Sequence, residues 1–94
     1  MRIIGKGFLL AFCEKYPDCR DWVESWLADA TSAAWATPQA IKVRYASASF
    51  LSDNIVIFNV RGNNHRLEVQ VAYQTGIVAV KWIGPHKEYS RRRR

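Results

Sequence analysis

The stretch NVRGNNHRLEV, residues 59–69, joins two apolar segments and carries more cations than a turn requires. Gly62 and the asparagines beside it are residues that tight hairpin turns favour. Arg61 and Arg66, which flank them, are not needed to form a turn. Because guanidinium groups bind phosphate oxygens in pairs, these arginines indicate a phosphate-containing ligand at the mouth of a hairpin.

The register of this hairpin decides which side chains accompany Arg66. A loop at 62–63 sets Asn59 opposite Arg66, whereas a loop at 63–64 sets Arg61 there. Either way Arg66 shares a face with Asn59 and Arg61. At the next turn, a loop at 74–75 sets Glu68 opposite Lys81, and a loop at 75–76 sets Gln70 there instead. This mixed face is a candidate binding surface. The opposite face is wholly apolar and is predicted to lie under helices; it comprises Val56, Phe58, Val60, Leu67, Val69, Val71, Val78, Val80 and Trp82.

The segment GPHKEY, residues 84–89, follows the last strand and brings further groups that can transfer protons. With the loop at 74–75, Arg66 lies opposite Ile83, so that His86, Lys87 and Tyr89 leave the sheet beside the first turn. Cations, an imidazole and a phenol suit the cleavage of RNA by its own 2′-hydroxyl. That reaction needs a base, an acid and positive charge around the phosphorane, and histidine titrates near neutral pH.

Other readings of the same residues stay open. Antiparallel sheets commonly have a polar outer face, and Glu68 with Lys81 matches an ordinary cross-strand pair. His65 alternates onto the face of Leu67, where a structural or stacking role is expected. The chain has no HExxH motif, no histidine-rich cluster and no carboxylate pair at ligand spacing, so neither a metal site nor a cofactor is predicted.

The surrounding elements divide into helices first and strands afterwards. Residues 1–4 suggest a short strand, and apolar residues recur at helical spacing from Lys6 to the YPD segment at 16–18. A second helix is predicted with Asp18 as its cap and Asp21 three residues on. Its inner stripe comprises Trp22, Trp26, Ala30, Ala33 and Ala34, and Thr37-Pro38 stops it.

After Pro38 the period changes to two. IKVRY (41–45) alternates, ASASFLSDN (46–54) is a predicted loop, and three strands follow: IVIFNV (55–60), HRLEVQVAY (65–73) and IVAVKWI (77–83). The expected fold class is α+β: two N-terminal helices packed on a small, mainly antiparallel β-sheet.

Composition and charge limit the class of protein. The 94 residues, 49% hydrophobic with 13% aromatic, suit one globular domain over 1–94, with 91–94 as a basic tail. The formal charge is +6, and residues 48–94 hold eight basic against three acidic residues. This asymmetry favours a polyanionic partner. Without a membrane-length apolar run or a signal peptide, and with Cys13 and Cys19 expected as free thiols, a cytoplasmic location and no membrane contact are predicted.

Two long runs in the second half resemble a known family. VIFNVRGNNHRLEVQVAY (56–73), followed by VAVKWIGPHKEY (78–89), resembles the HigB toxins of the RelE-like superfamily, and the likeness extends upstream to EKYPD. Its most specific parts are Phe58-Asn59, Gly62-Asn63, Arg66-Leu67, Ile83-Gly84 and His86-x-x-Tyr89. The resemblance implies a ribosome-dependent mRNA endonuclease of a toxin–antitoxin pair. The implied partners are mRNA on the ribosome and a HigA-like helix-turn-helix antitoxin.

The resemblance and the face pattern together give a set of site residues. The candidate catalytic residues are His86, Arg66, Tyr89 and Lys81, and the candidate RNA-binding residues are Arg61, Asn63, Asn64, His65, Lys87, Lys42 and Arg44. Two alternatives use the same surface without catalysis: an RNA- or ribosome-binding module, and a domain that docks a protein partner.

Overall fold

The computed structural model describes residues 1–92, which form an α+β fold of four helices and five strands. In chain order the elements are β1 (Arg2–Ile4), α1 (Lys6–Lys15), α2 (Arg20–Ser32), α3 (Pro38–Arg44), β2 (Ser49–Phe50), β3 (Ile55–Val60), β4 (His65–Ala72), β5 (Ile77–Pro85) and α4 (His86–Arg92). Short 3-10 turns lie at Pro17–Cys19 and Ser52–Asn54. No helix in this part of the chain is both long enough and apolar enough to cross a membrane.

The strands form one mixed sheet in the order β1-β5-β4-β3-β2. All neighbouring strands are antiparallel except β1, which runs parallel to β5. The predicted α+β class is therefore confirmed, and the sheet is antiparallel along β2 to β5. The two N-terminal helices are present, but α3 and α4 were not predicted.

The core lies between the inner face of the sheet and the helices. All but one of the residues predicted for this face are buried, and they pack with Leu9, Val23 and Trp26. The rings of Trp26 and Phe58 meet edge to face, with centroids 5.5 Å apart. Burial of this apolar set supplies the main force that holds the helices on the sheet.

The start and end of α2 differ from the prediction. The helix begins after Cys19, which gives no side-chain hydrogen bond, and Asp18 lies in the preceding 3-10 turn. It ends at Ser32, because Ala33 is extended, with ψ of 156°. Along the predicted stripe, Trp26 and Ala30 are buried, but the more C-terminal Ala34 is exposed.

Residues 38–44 form helix α3, so the period of two assigned to IKVRY is wrong. Thr37 caps this helix: its Oγ1 accepts a hydrogen bond from the backbone N–H of Ala40 at 3.3 Å. Pro38 occupies the first turn, where a missing N–H costs nothing. Only Ile41 of the helix is buried, whereas Val43 is 88% exposed. Thr37-Pro38 therefore begins a helix, whereas the sequence had predicted that it ends one.

The first hairpin has one of the two predicted registers. Asn59 lies opposite Arg66, which is the pairing set by a loop centred on 62–63. Arg61 and Gly62 both adopt positive φ, at 50° and 75°. These left-handed conformations allow the chain to reverse between β3 and β4.

A β-bulge in β5 changes the second hairpin. Gln70 pairs with Ala79 and Val69 with Val80, but Glu68 pairs with Trp82, which leaves Lys81 as the extra residue. Both predicted partners of Lys81 are therefore wrong. Because one inserted residue reverses the facing of everything after it, Trp82 moves to the outer face and Ile83 to the inner face. The prediction of Trp82 on the apolar face is also wrong.

The last helix includes two of the four terminal arginines, and both thiols are free. Arg91 and Arg92 belong to α4 and are not part of a tail, while residues 93–94 lie outside the described residues. Cys13 and Cys19 are free, as predicted, and both are buried.

Candidate functional site

The turn between β3 and β4, residues 61–64, is tied to the sheet by Arg66. The Arg66 guanidinium donates to the backbone oxygens of Asn63, at 3.2 Å, and His65, at 3.0 Å. It also donates to the Asn63 side-chain oxygen at 2.8 Å. With Arg66 only 9% exposed, these bonds satisfy a buried cation and fix the turn.

The same turn holds the start of α4. The backbone N–H of His86 donates to the carbonyl oxygen of Asn64 at 2.9 Å. Pro85 pairs with His65, so β5 ends beside the turn, and His86 is exposed there. His86 and Arg66 are therefore bonded to adjacent turn residues. The sequence predicted that β5 would end beside this turn, but it set Arg66 opposite Ile83, whereas Arg66 pairs with Gly84.

Helix α4 folds back over the outer face of the sheet. The ring centroids of Tyr89 and Trp82 are 6.1 Å apart, and the Arg92 guanidinium lies 5.5 Å from the centre of the Trp82 ring. Arg92 also forms an ion pair with Glu68 at 3.3 Å. Glu68 is 5% exposed beneath this layer. The middle of the outer face is thus covered, whereas the sequence had suggested an open binding surface.

Arg61 points away from this face. Its guanidinium bonds the carboxylate of Asp18 at 2.8 Å, in the 3-10 turn between α1 and α2. Both side chains are about half exposed, and such pairs contribute roughly 0–1 kcal/mol. The predicted shared face of Arg61 and Arg66 does not form, because the left-handed φ of Arg61 takes it out of the strand alternation.

His65 belongs to the core. It is 8% exposed, and its ring packs edge-on against Phe12 and Tyr16, with centroids 5.3 and 5.0 Å away. Its Nδ1 lies 3.5 Å from the Cys19 sulfur. Burial lowers the pKa of His65. The Asp18 carboxylate opposes this shift, and the Arg61 guanidinium adds to it. A ring enclosed in this way has no free face on which a base could stack.

The remaining predicted cations are distributed over three places. Lys81 is exposed at the bulge and faces the space between β5 and α1. Lys87 is exposed on α4. Lys42 and Arg44 lie on α3, where Lys42 donates to the carbonyl of Ala48 at 3.0 Å and Arg44 pairs with Asp29 at 2.9 Å. Lys42 and Arg44 therefore lie outside the turn and outside α4.

Trp82 was missed by the sequence as a residue of the site. Its indole lies directly over Gly84: a Cβ added there would come within 2.7 Å of the ring. A glycine inside a strand often marks a bulge or a close approach. Gly84 was therefore the signal that could have placed Trp82 on the outer face.

The arrangement brings three chemical capacities to one corner. An exposed imidazole can accept or donate a proton, the turn offers the exposed amides of Asn63 and Asn64, and Arg66 supplies positive charge from beneath. Such a set suits a phosphodiester, whose transition state gains negative charge.

Comparison with known proteins agrees with this picture at the level of the family. A search among curated proteins finds no match. A sequence model of the HigB toxins, described as RelE-like toxic components of a toxin-antitoxin system, matches residues 19–92. This range spans most of the chain and contains both the turn and α4. The chain therefore belongs to the HigB toxin family, and it is the toxin component of a toxin–antitoxin system.

Proposed function

We propose that this toxin is an endoribonuclease that cuts mRNA on the ribosome and thereby stops translation. A base takes the proton of a 2′-hydroxyl, whose oxygen attacks the adjacent phosphate while the bond from phosphorus to the 5′ oxygen breaks. An acid protonates the leaving 5′ oxygen, so the products are a 2′,3′-cyclic phosphate and a 5′-hydroxyl, and side chains do this with no metal required. Family membership implies a cognate antitoxin, and the proposed antitoxin is a HigA-like helix-turn-helix protein that suppresses the activity.

One observation carries the proposal: His86 and Arg66 are anchored to neighbouring residues of the same turn. The His86 N–H bonds Asn64, and the Arg66 guanidinium bonds Asn63. Because the backbone of His86 is bonded to this turn, the residue lies beside a phosphate bound at the turn before the reaction begins. Pre-positioning of an acid or base lowers the cost of reaching the transition state.

The proposed roles follow from position and exposure. His86 acts as general acid or base, and Tyr89, three residues later on α4, assists it or stacks a base. Arg66 holds the turn and adds its charge to the scissile phosphate, with Lys81 as a second cation. Arg61, Asn63, Asn64 and Lys87 contact the neighbouring nucleotides. His65, enclosed by Phe12 and Tyr16, is left out of the RNA surface, and so are Lys42 and Arg44 on α3.

Translation of a defined mRNA with the purified protein, followed by mapping of the cut ends, tests the proposal. We expect His86→Ala to slow cutting by about 10²- to 10⁴-fold, the usual contribution of a general acid or base. Tyr89→Phe and Arg66→Ala are expected to slow it as well. The matched control is Lys6→Ala, which removes an exposed cation at the start of α1 and should cut at the parent rate.

Two results would contradict the assignment. Parent-like cutting by His86→Ala, Tyr89→Phe and Arg66→Ala together would mean that the turn is not the reactive centre. RNA binding with a steep salt dependence but no cut ends would show a binding module instead of a nuclease. Thermal unfolding of each variant separates lost chemistry from lost structure.

A further inference from the structure

Helix α4 is too short to be stable by itself. It has seven residues, His86–Arg92, and none of them is buried. Isolated helices shorter than about 12–15 residues are marginal in water. The hydrogen bond from the N–H of His86 to the carbonyl oxygen of Asn64 fixes only the first residue. Contacts further along α4 must therefore keep the helix formed and against the sheet.

These contacts come from one group of side chains on the outer face, which we call the α4 clamp and define as Glu68 of β4, Trp82 of β5 and Arg92 of α4. The Arg92 guanidinium forms an ion pair with the Glu68 carboxylate at 3.3 Å and lies 5.5 Å from the centre of the Trp82 ring. Tyr89 adds a ring contact with Trp82, with centroids 6.1 Å apart. The clamp thus holds the last residue of α4, at the end opposite His86.

Glu68 is the fixed part of the clamp. It pairs with Ile57 of β3 on one side and with Trp82 of β5 on the other. Its side chain is 6% exposed, whereas that of Arg92 is 39% exposed. A carboxylate removed from water to this extent is costly unless a cation accompanies it. Undocking of α4 would take Arg92 away from this buried charge, so the ion pair favours the docked helix.

The clamp is connected along α4 to the proposed reacting groups. Tyr89 is three residues from both His86 and Arg92, and residues at this spacing are neighbours on a helix surface. Arg92 is therefore joined to Tyr89 through about one turn of helix and to His86 through about two. Loss of the helix would move both groups that transfer protons.

We propose that Glu68 is a positioning residue of the toxin, which acts through Arg92 to hold α4 in the conformation that presents His86 and Tyr89 at the turn. This role depends on the nuclease function proposed above. Glu68 is enclosed between the sheet and α4, so it does not touch RNA itself. Its negative charge opposes the binding of RNA, and its contribution to cutting comes from the geometry that it imposes.

Two substitutions remove the ion pair by opposite changes of charge. Glu68→Gln removes a negative charge, and Arg92→Ala removes a positive one. A direct effect of charge on RNA binding would make the first variant cut better and the second cut worse. Positioning predicts instead that both variants cut more slowly, because both release α4.

Cutting is measured with a defined mRNA on purified ribosomes at increasing concentrations of the programmed ribosome. We expect the maximal rate of both variants to fall by about tenfold to a hundredfold, as it does when reacting groups are misplaced by about an ångström. The concentration that gives half the maximal rate should change little in Glu68→Gln. Arg92→Lys keeps a cation for Glu68 and should recover part of the rate.

The matched control is Arg91→Ala, which removes the same charge from the neighbouring exposed residue of α4. It should keep the maximal rate of the parent. Because Arg92 is at the end of α4 and partly exposed, Arg92→Ala is expected to leave the domain folded. Thermal unfolding of each variant checks this.

Backbone hydrogen exchange tests the clamp without reference to cutting. The amides of residues 90 and 91 bond within α4, so their exchange reports whether the helix is formed. They should exchange faster in Glu68→Gln and Arg92→Ala than in the parent. Parent-like exchange in both variants would show that other contacts hold α4, and this would overturn the inference.

Three results of the cutting assay would also overturn it. Faster exchange with a parent-like maximal rate would show that the reacting groups do not depend on the clamp. Faster cutting by Glu68→Gln would mean that its charge acts directly on RNA. An equal loss in Arg91→Ala would mean that any cation of α4 serves. A failure of the nuclease proposal is distinguishable, because the parent itself would then not cut, whereas a failure of the clamp appears only in the variants.

Discussion

The contact between Trp82 and Gly84 allows a sharp test of how the outer face is built. In Gly84→Ala, the new Cβ would lie 2.7 and 2.8 Å from two atoms of the indole, Cζ2 and Cη2. Real Cβ atoms do not approach so closely, so the ring must move. It cannot swing freely, because Tyr89 and Arg92 lie against it. We expect the substitution to loosen α4 from the sheet.

Two opposing effects set the change in the free energy of unfolding that Gly84→Ala causes. Forcing an extra methyl into a packed site costs typically 1–3 kcal/mol. Replacing a glycine by alanine restricts the unfolded chain, which returns about 0.4–1 kcal/mol where the backbone permits it. The overpacking is the larger effect. The free energy of unfolding should therefore fall by about 1–2 kcal/mol, and each kcal/mol lowers the Tm by about 4–8 °C in a domain of this size.

Urea and thermal unfolding of the purified variants measure the effect. The matched control is Gly7→Ala in the first turn of α1, where an added Cβ meets no atom within 4 Å. Alanine is the better helix former, so this variant should gain up to about 1 kcal/mol. The same substitution is thus expected to change stability in opposite directions at the two positions.

The cause of the loss is tested in a second background. In Trp82→Ala the indole is absent, so adding Gly84→Ala should cost nothing or stabilise slightly. The reasoning is refuted if Gly84→Ala is as stable as the parent. It is also refuted if the alanine costs as much without the indole as with it, since the loss would then come from the backbone.

Two further predictions concern buried titratable groups, His65 of β4 and the two thiols. Burial lowers the pKa of His65 below its unfolded value of about 6.5, so the unfolded chain binds a proton more readily than the folded chain. The contribution of His65 to stability should be complete above that pH and should decline as the pH falls below it. Urea unfolding midpoints measured between pH 7.5 and 5 should show this decline. His65→Leu should flatten the decline, whereas the control His86→Ala should retain it. Burial also raises the pKa of the Cys13 and Cys19 thiols, so Ellman's reagent should label both only on unfolding; rapid labelling of the native protein would contradict their burial.

The turn chemistry of the first hairpin was readable from the sequence because it is local. Gly62 accepts a positive φ, and the flanking strands have an unbroken alternation that fixes which residues face each other. The end of β5 beside this turn, where the N–H of His86 bonds Asn64, followed from that register and the position of the last strand. In contrast, helix α3 was missed because Ile41 and Val43 suggest a period of two, although only Ile41 is buried. Here the cap at Thr37 outweighed the alternation of two residues.

The sequence by itself determined the α+β order, four of the five strands to within two residues at each end, the apolar inner face and the first turn. These depend on short-range rules: side-chain period, turn residues and charge. The tertiary structure alone decided the bulge at Lys81, the outward position of Trp82 and the cover that α4 places over Glu68. The physical reason is that side chains in a strand alternate between two faces. One extra residue in a bulge therefore moves every later side chain to the opposite face. Packing decides where the bulge forms, and it can do so without any change in the neighbouring sequence.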